Sequence, residues 1–212
     1  MIFKRQIIID GLNSGNIIEK IVEKACLEKG IYNIKNISKN LFISSVDLDD
    51  GTVYLFTSIS KQTKETRQNY SNHVEYIYNA PIAKVVRASC SFPGVFSPCN
   101  YQNHKLVDGG IRENVPWKEL KENGVDKVIS IIFPKKLKCK ENKNIIDVIS
   151  GSIELMGQEL SNYELEGADY LLKINTLHTP LLDTNQIDYF YRKGYEETKR
   201  KIKEISFFNK QT

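Results

Sequence analysis

No apolar run in these 212 residues approaches the roughly 18 that a membrane-spanning helix needs, so any contact with lipid is expected to be peripheral. Cysteine is sparse and unevenly placed. Cys26, Cys90, Cys99 and Cys139 form no C-x-x-C, and no histidine stands at ligand spacing from them, which argues against a zinc site and gives no sign of any other metal or cofactor. An even number of thiols would allow disulfides, but a chain of this size needs none. No signal peptide is visible, so the expected setting is the cytoplasm with reduced thiols. No basic run interleaves with aromatic residues, and nucleic acid is therefore not an expected partner. Internal repeats and low-complexity segments are also lacking.

What is present is the composition of an ordinary globule, 41% hydrophobic and 26% charged. At 24.4 kDa the expected organisation is a single domain over residues 1–212, large enough to bury a substantial core. The net charge of +4 is mild. Its lysines are scattered among glutamates, which reads first as a solvated face and second as a surface for an anionic membrane or nucleic acid.

Apolar residues from Ile17 to Leu27 recur at helical spacing, with Ser14-Gly15-Asn16 offering cap chemistry before them and Gly30 after. Leu41–Val46 and Thr52–Thr57 are rich in β-formers and are joined by Asp47-Leu48-Asp49-Asp50-Gly51, a hairpin signal. Those aspartates lack the other ligands of a calcium loop and read as a turn. Residues 61–72 are polar and aperiodic, a connection of the kind that forms lids in some enzymes. A short helix is expected after Pro81 and another from Pro116 to about Asn123. Val128–Phe133 is nearly continuously apolar and predicts a parallel strand covered on both faces. A helix over 144–165, a strand over 170–174 and a lysine-rich amphipathic helix over 187–205 complete an α/β reading.

The densest segment runs from Arg87 to Trp117 and holds three of the six prolines. Phe92-Pro93-Gly94-Val95-Phe96-Ser97-Pro98 is too apolar for a solvated connection. Leu106-Val107 leads into Asp108-Gly109-Gly110, and Asn114-Val115-Pro116-Trp117 marks a further fixed turn. Glycine permits left-handed backbone and close approach, so Gly109 and Gly110 let Asp108 face a cleft without obstruction. Asp-Gly-Gly between apolar segments is also an ordinary turn, and that reading stands beside the functional one.

The combination Ala88-Ser89-x-x-x-Pro93-x-x-Phe96-x-Pro98, Leu106-Val107-Asp108-Gly109-Gly110 and Asn114-x-Pro116 resembles the second half of patatin-like phospholipases. Asp10-Gly11-Leu12-x-Ser14-Gly15 and Leu41-Phe42-Ile43-x-x-x-Asp47-Leu48-x-x-Gly51 are similar to the segments preceding that core. Gly167-Ala168-Asp169-Tyr170 and Gly194-Tyr195 are similar to the family's C-terminal end. The resemblance implies a three-layer helix–sheet–helix α/β fold with a mainly parallel central sheet, here lacking its first strand or strands. It also implies a lipid acyl hydrolase of Ser-Asp dyad type, in which Asp108 is the general base taking the proton of a serine hydroxyl directly. Phe92, Pro93, Val95, Phe96 and Ile111 are candidate walls of a water-poor pocket that would raise that carboxylate's proton affinity.

Family members carry a G-x-S-x-G nucleophile elbow and a glycine-rich oxyanion loop. Neither occurs here: Gly11-Leu12-Asn13-Ser14-Gly15 places its serine at the wrong position. The expectation is a partial patatin-like domain that supplies the base but not the nucleophile, inactive as an esterase by itself. Its substrate would be a phospholipid or other acyl ester, and it would self-associate or pair with a missing N-terminal segment. The alternative is a non-catalytic patatin-fold protein that binds lipid or a partner. His73, His104 and His178 lie in polar contexts and give no sign of a triad, while Cys90 and Cys99 read as packing residues rather than nucleophiles. Arg112 reads as a surface partner of Glu113 or Glu119, or as a contact for anionic head groups.

Overall fold

The computed structural model describes residues 13–60, 74–134, 145–176 and 184–210. The apolar run Ile7-Ile8-Ile9, the polar connection over 61–72, His73, His178 and Cys139 lie outside them. Chain contacts gather the protein into two compact units, one of Met1–Asn114 with Lys143–Ser161 and one of Val115–Asn142 with Asn162–Thr212.

The first unit is built on a five-stranded sheet of β1 (Phe42–Asp47), β2 (Val53–Thr57), β3 (Val74–Ile77), β4 (Cys99–Tyr101) and β5 (His104–Asp108), in the order β3-β2-β1-β5-β4. The layered α/β character expected from the sequence is present, but the sheet is mixed rather than mainly parallel. Only β2–β3 is parallel, while β1–β2, β1–β5 and β4–β5 are antiparallel. The reason lies in the connections. Asp47–Thr52 closes one hairpin with Asp47 N–H donating to the Thr52 carbonyl at 2.8 Å. Gln102-Asn103 closes another between the paired Tyr101 and His104, with Gln102 at φ 51. Links this short return the chain antiparallel, since a parallel neighbour needs a crossover.

Helix α1 (Asn16–Leu27) and helix α2 (Ile82–Ser89) belong to the same unit. Helix α2 begins after Pro81 and buries Ile82, Val85 and Ala88, an i, i+3 stripe, against Phe56, Cys99, Tyr101 and Leu106. A second cluster, Val46, Val53, Leu55, Val74 and Val107, fills the other face of the sheet. Helix α1 is capped by Gly15 in the left-handed conformation without a side-chain cap, so Ser14 is not the cap residue.

The second unit holds α3 (Trp117–Glu122), the parallel pair β6 (Ile129–Ile132) and β7 (Tyr170–Lys173), and α5 (Ile187–Lys210). Helix α4 (Ile145–Glu164) divides between the units. The strand expected over 128–133 forms and is parallel to its neighbour, but it is not covered on both faces: Ile131 is 57% and Phe133 59% exposed.

Candidate active site

Strand β5 runs out at Asp108, directly opposite Ser45 on β1. The Asp108 N–H donates to the Ser91 carbonyl at 3.1 Å, which fixes the acid beside the start of the proline-bearing loop. Its side chain is half-buried, and Oδ1 accepts the Gly110 N–H at 2.8 Å. The two glycines are required by packing and not, as the turn chemistry suggested, by left-handed backbone, which neither adopts. A Cβ at Gly109 would lie 2.1 Å from Ser44 Oγ and 2.7 Å from the Ser44 carbonyl oxygen. A Cβ at Gly110 would lie 2.9 Å from Asn114 Oδ1 and 3.1 Å from Asp108 Oδ1. Any side chain there would crowd the carboxylate or the strand behind it.

The loop before β4 is held by a buried cation that sequence reasoning passed over. Arg87, 2% exposed, donates from Nε to the Ser14 carbonyl at 3.0 Å and from Nη2 to the Ser97 carbonyl at 2.7 Å. Nη1 reaches Ser91 Oγ, Nη2 also reaches the Ser14 carbonyl, and the guanidinium lies 5.9 Å from the Phe96 ring centroid. Asn13 completes the clasp, its N–H donating to the Val95 carbonyl at 3.0 Å and its carbonyl accepting the Ser97 N–H at 2.9 Å. The available signal was an arginine amid the apolar Val85-Val86-Arg87-Ala88. At 2% exposure such a residue must be hydrogen-bonded rather than solvated.

Of the candidate wall residues, Val95 is buried and Phe92, Pro93 and Phe96 are half-buried, whereas Ile111 is 40% exposed. Burial pushes the Asp108 carboxyl above its ordinary range, and the Gly110 N–H pulls it partly back. Cys90, at the end of α2, feels the same environment. Burial raises its thiol first and the Asp108 charge raises it further, against a smaller pull from Arg87. A thiol so shifted stays protonated and is a poor nucleophile.

Comparison with known proteins settles the family. The profile described as patatin-like phospholipase matches residues 3–121, more than half of the chain, including Asp108 and the loop before it. This chain belongs to the patatin-like phospholipase family. A Bacillus subtilis (strain 168) protein described as "Uncharacterized protein YqhO" is 28% identical over 141 residues, 64% of this chain and 45% of that protein. The chain thus spans less than half the length of this curated relative.

Within this patatin-like chain a second polar cluster was not anticipated. His104, expected in a hydrophilic turn, begins β5 and sets Nδ1 2.6 Å from Asp47 Oδ2. The Tyr54 hydroxyl lies 3.2 Å from His104 Nε2, and the two rings sit 4.9 Å apart. Asp47 Oδ1 accepts the Asp49 N–H and Asp50 Oδ1 the Thr52 N–H, so these acids order the hairpin turn. Arg112 Nη1 donates to the Gly51 carbonyl, and so ties the segment after Asp108 to that same turn. No helix of the described residues is long and apolar enough to cross a membrane.

Proposed function

We propose that this chain supplies the general-base half of a patatin-type lipid acyl hydrolase. Asp108 takes the proton from a serine hydroxyl as that oxygen attacks an acyl ester, and a developing oxyanion is stabilised by donors elsewhere. The observation that carries the reading is the placement of Asp108: one carboxylate at a glycine corner, half-buried, tied through its own N–H to the loop of Phe92, Pro93, Val95 and Phe96. Burial supports it, because a carboxylate with raised proton affinity is a better base than one in water. Membership of the patatin-like family supports a lipid ester as substrate.

None of the 212 residues forms a G-x-S-x-G elbow, so the nucleophile comes from outside them and the chain alone is inactive. Its setting is cytoplasmic, with peripheral contact at the membrane. Exposed apolar side chains such as Met156 and Phe133 support self-association or pairing with a nucleophile-bearing segment.

The test is hydrolysis of a p-nitrophenyl acyl ester. The pure chain should show none. Joined to, or mixed with, the segment encoded immediately upstream, it should gain an activity that Asp108→Asn lowers by about a thousandfold or more. Hydrolysis by the chain alone would refute the missing nucleophile. Activity of the combined protein that survives Asp108→Asn would refute the base. An upstream frame without a serine elbow would favour the non-catalytic binding module.

A further inference from the structure

Ser45 lies mid-sheet on β1 with no exposed surface, and its hydroxyl has no hydrogen-bond partner. Buried polar atoms are nearly always paired, and a strand interior has many residues that would fill this volume without an orphaned hydroxyl. Its cross-strand partners are Tyr54 on β2 and Asp108 on β5. Residues directly opposite on neighbouring strands share a face and hold their Cβ atoms about 4.5–5.5 Å apart, within the combined reach of a serine hydroxyl and an aspartate carboxylate. Tyr54 is already engaged with His104. Asp108 Oδ1 takes the Gly110 N–H, and the carboxylate is half-buried. One buried donor without an acceptor therefore stands across the strand pair from a carboxylate held by the Gly110 N–H, and a turn of the serine side chain would join them.

We propose that Ser45 is a positioning residue for the Asp108 carboxylate, donating its hydroxyl to the ionised acid from the neighbouring strand; the proposal rests on reading Asp108 as the base. A base must be ionised before it can accept a proton, and burial opposes that state. The Gly110 N–H and the Ser45 hydroxyl offset the opposition from two directions and aim the carboxylate. When Asp108 takes the proton, the serine hydroxyl turns and accepts instead, since a hydroxyl serves either role. Other charged or titratable groups around this row are Cys90 and Arg87 from α2, Tyr54 from β2, and Asp47 with His104 farther along the same sheet.

The experiment is a carbon-13 NMR titration of the aspartate carboxyls in the chain as it stands, with the Asp108 signal assigned by its loss in Asp108→Asn. Ser45→Ala, which is smaller and leaves no orphan, should raise the Asp108 midpoint by about one pH unit. Ser45→Thr, which keeps the hydroxyl, should leave it in place. Ser44→Ala, on the opposite face of β1, should also leave it in place. An unmoved midpoint in Ser45→Ala, with or without a change in stability, would overturn the proposal, as would an equal shift in Ser44→Ala. The midpoint is read without catalysis, so this result and the hydrolysis assay fail independently.

Discussion

His104 Nδ1 stands 2.6 Å from Asp47 Oδ2 across 57 residues of sequence, and this contact fastens the tips of two hairpins in one sheet. Asp47 is 3% exposed, so its carboxylate leans on this partner and on the Asp49 N–H rather than on water. A double-mutant cycle with Asp47→Asn and His104→Gln, read by urea denaturation, should return a coupling of about 1 kcal/mol or more. Additive losses would mean that the two side chains stabilise the hairpins separately.

Tyr54 borders this pair, and its hydroxyl is pushed up to about 12, first by burial and then by the charges of Glu75, Asp47 and Asp50. The folded value exceeds the unfolded one, so this group's contribution to stability is complete below about pH 10 and is lost as the pH climbs toward the folded value. A spectrophotometric titration should show a late-ionising tyrosine that disappears in Tyr54→Phe. Asp47→Asn should bring that ionisation to lower pH. A Tyr54 that titrates with the exposed tyrosines would contradict the placement.

Gly15 and Gly30 share a left-handed backbone, at φ 67 and φ 68, but not their surroundings. A Cβ on Gly15 would lie 2.3 Å from Arg87 Nε, whereas nothing lies within 4 Å of one on Gly30. Alanine at Gly30 should cost about 1 kcal/mol, the price of that conformation for an L-residue. Alanine at Gly15 should cost about 3 kcal/mol, because it also pushes on the clasp of Ser14, Ser91 and Ser97. Equal losses in chemical denaturation would show that Arg87 does not hold this segment.

The Asp108 carboxyl has its affinity for a proton raised by burial, so its ionised form disfavours the folded state. Its contribution to stability is complete below the unfolded value of about 3.9 and falls away as the pH rises through the folded value. Asp108→Asn keeps an oxygen for the Gly110 N–H and removes the charge. It should melt at a higher temperature than the native chain at neutral pH, with the gain fading toward about pH 3. A lower melting point at neutral pH would show that the charge is better satisfied than its burial indicates.

Much of this was legible beforehand because its causes are local. The spacing of Ile17 to Leu27, Pro81 ahead of a short helix, and the Asp-rich turn between two β-rich runs each report a neighbourhood of a few residues. The structure returns them as α1, α2 and the β1–β2 hairpin. Strands β3 and β4 went unread: Val74–Ile77 follows a polar stretch, and Cys99–Tyr101 is too short to show alternation. The doubly covered strand at 128–133 was overstated, since continuous apolarity records which residues are present and not what lies against them.

The sequence by itself determined the Asp108-Gly109-Gly110 corner, the apolar proline-bearing loop and the family to which they belong, because turn chemistry and motif spacing are properties of adjacent residues. Tertiary structure alone decided that Arg87 is a buried clasp, that Asp47 meets His104, and that an orphaned Ser45 hydroxyl stands opposite the acid. Those facts depend on strand order and on burial, which the folded chain acquires only when segments distant in sequence pair their backbones and exclude water from between them.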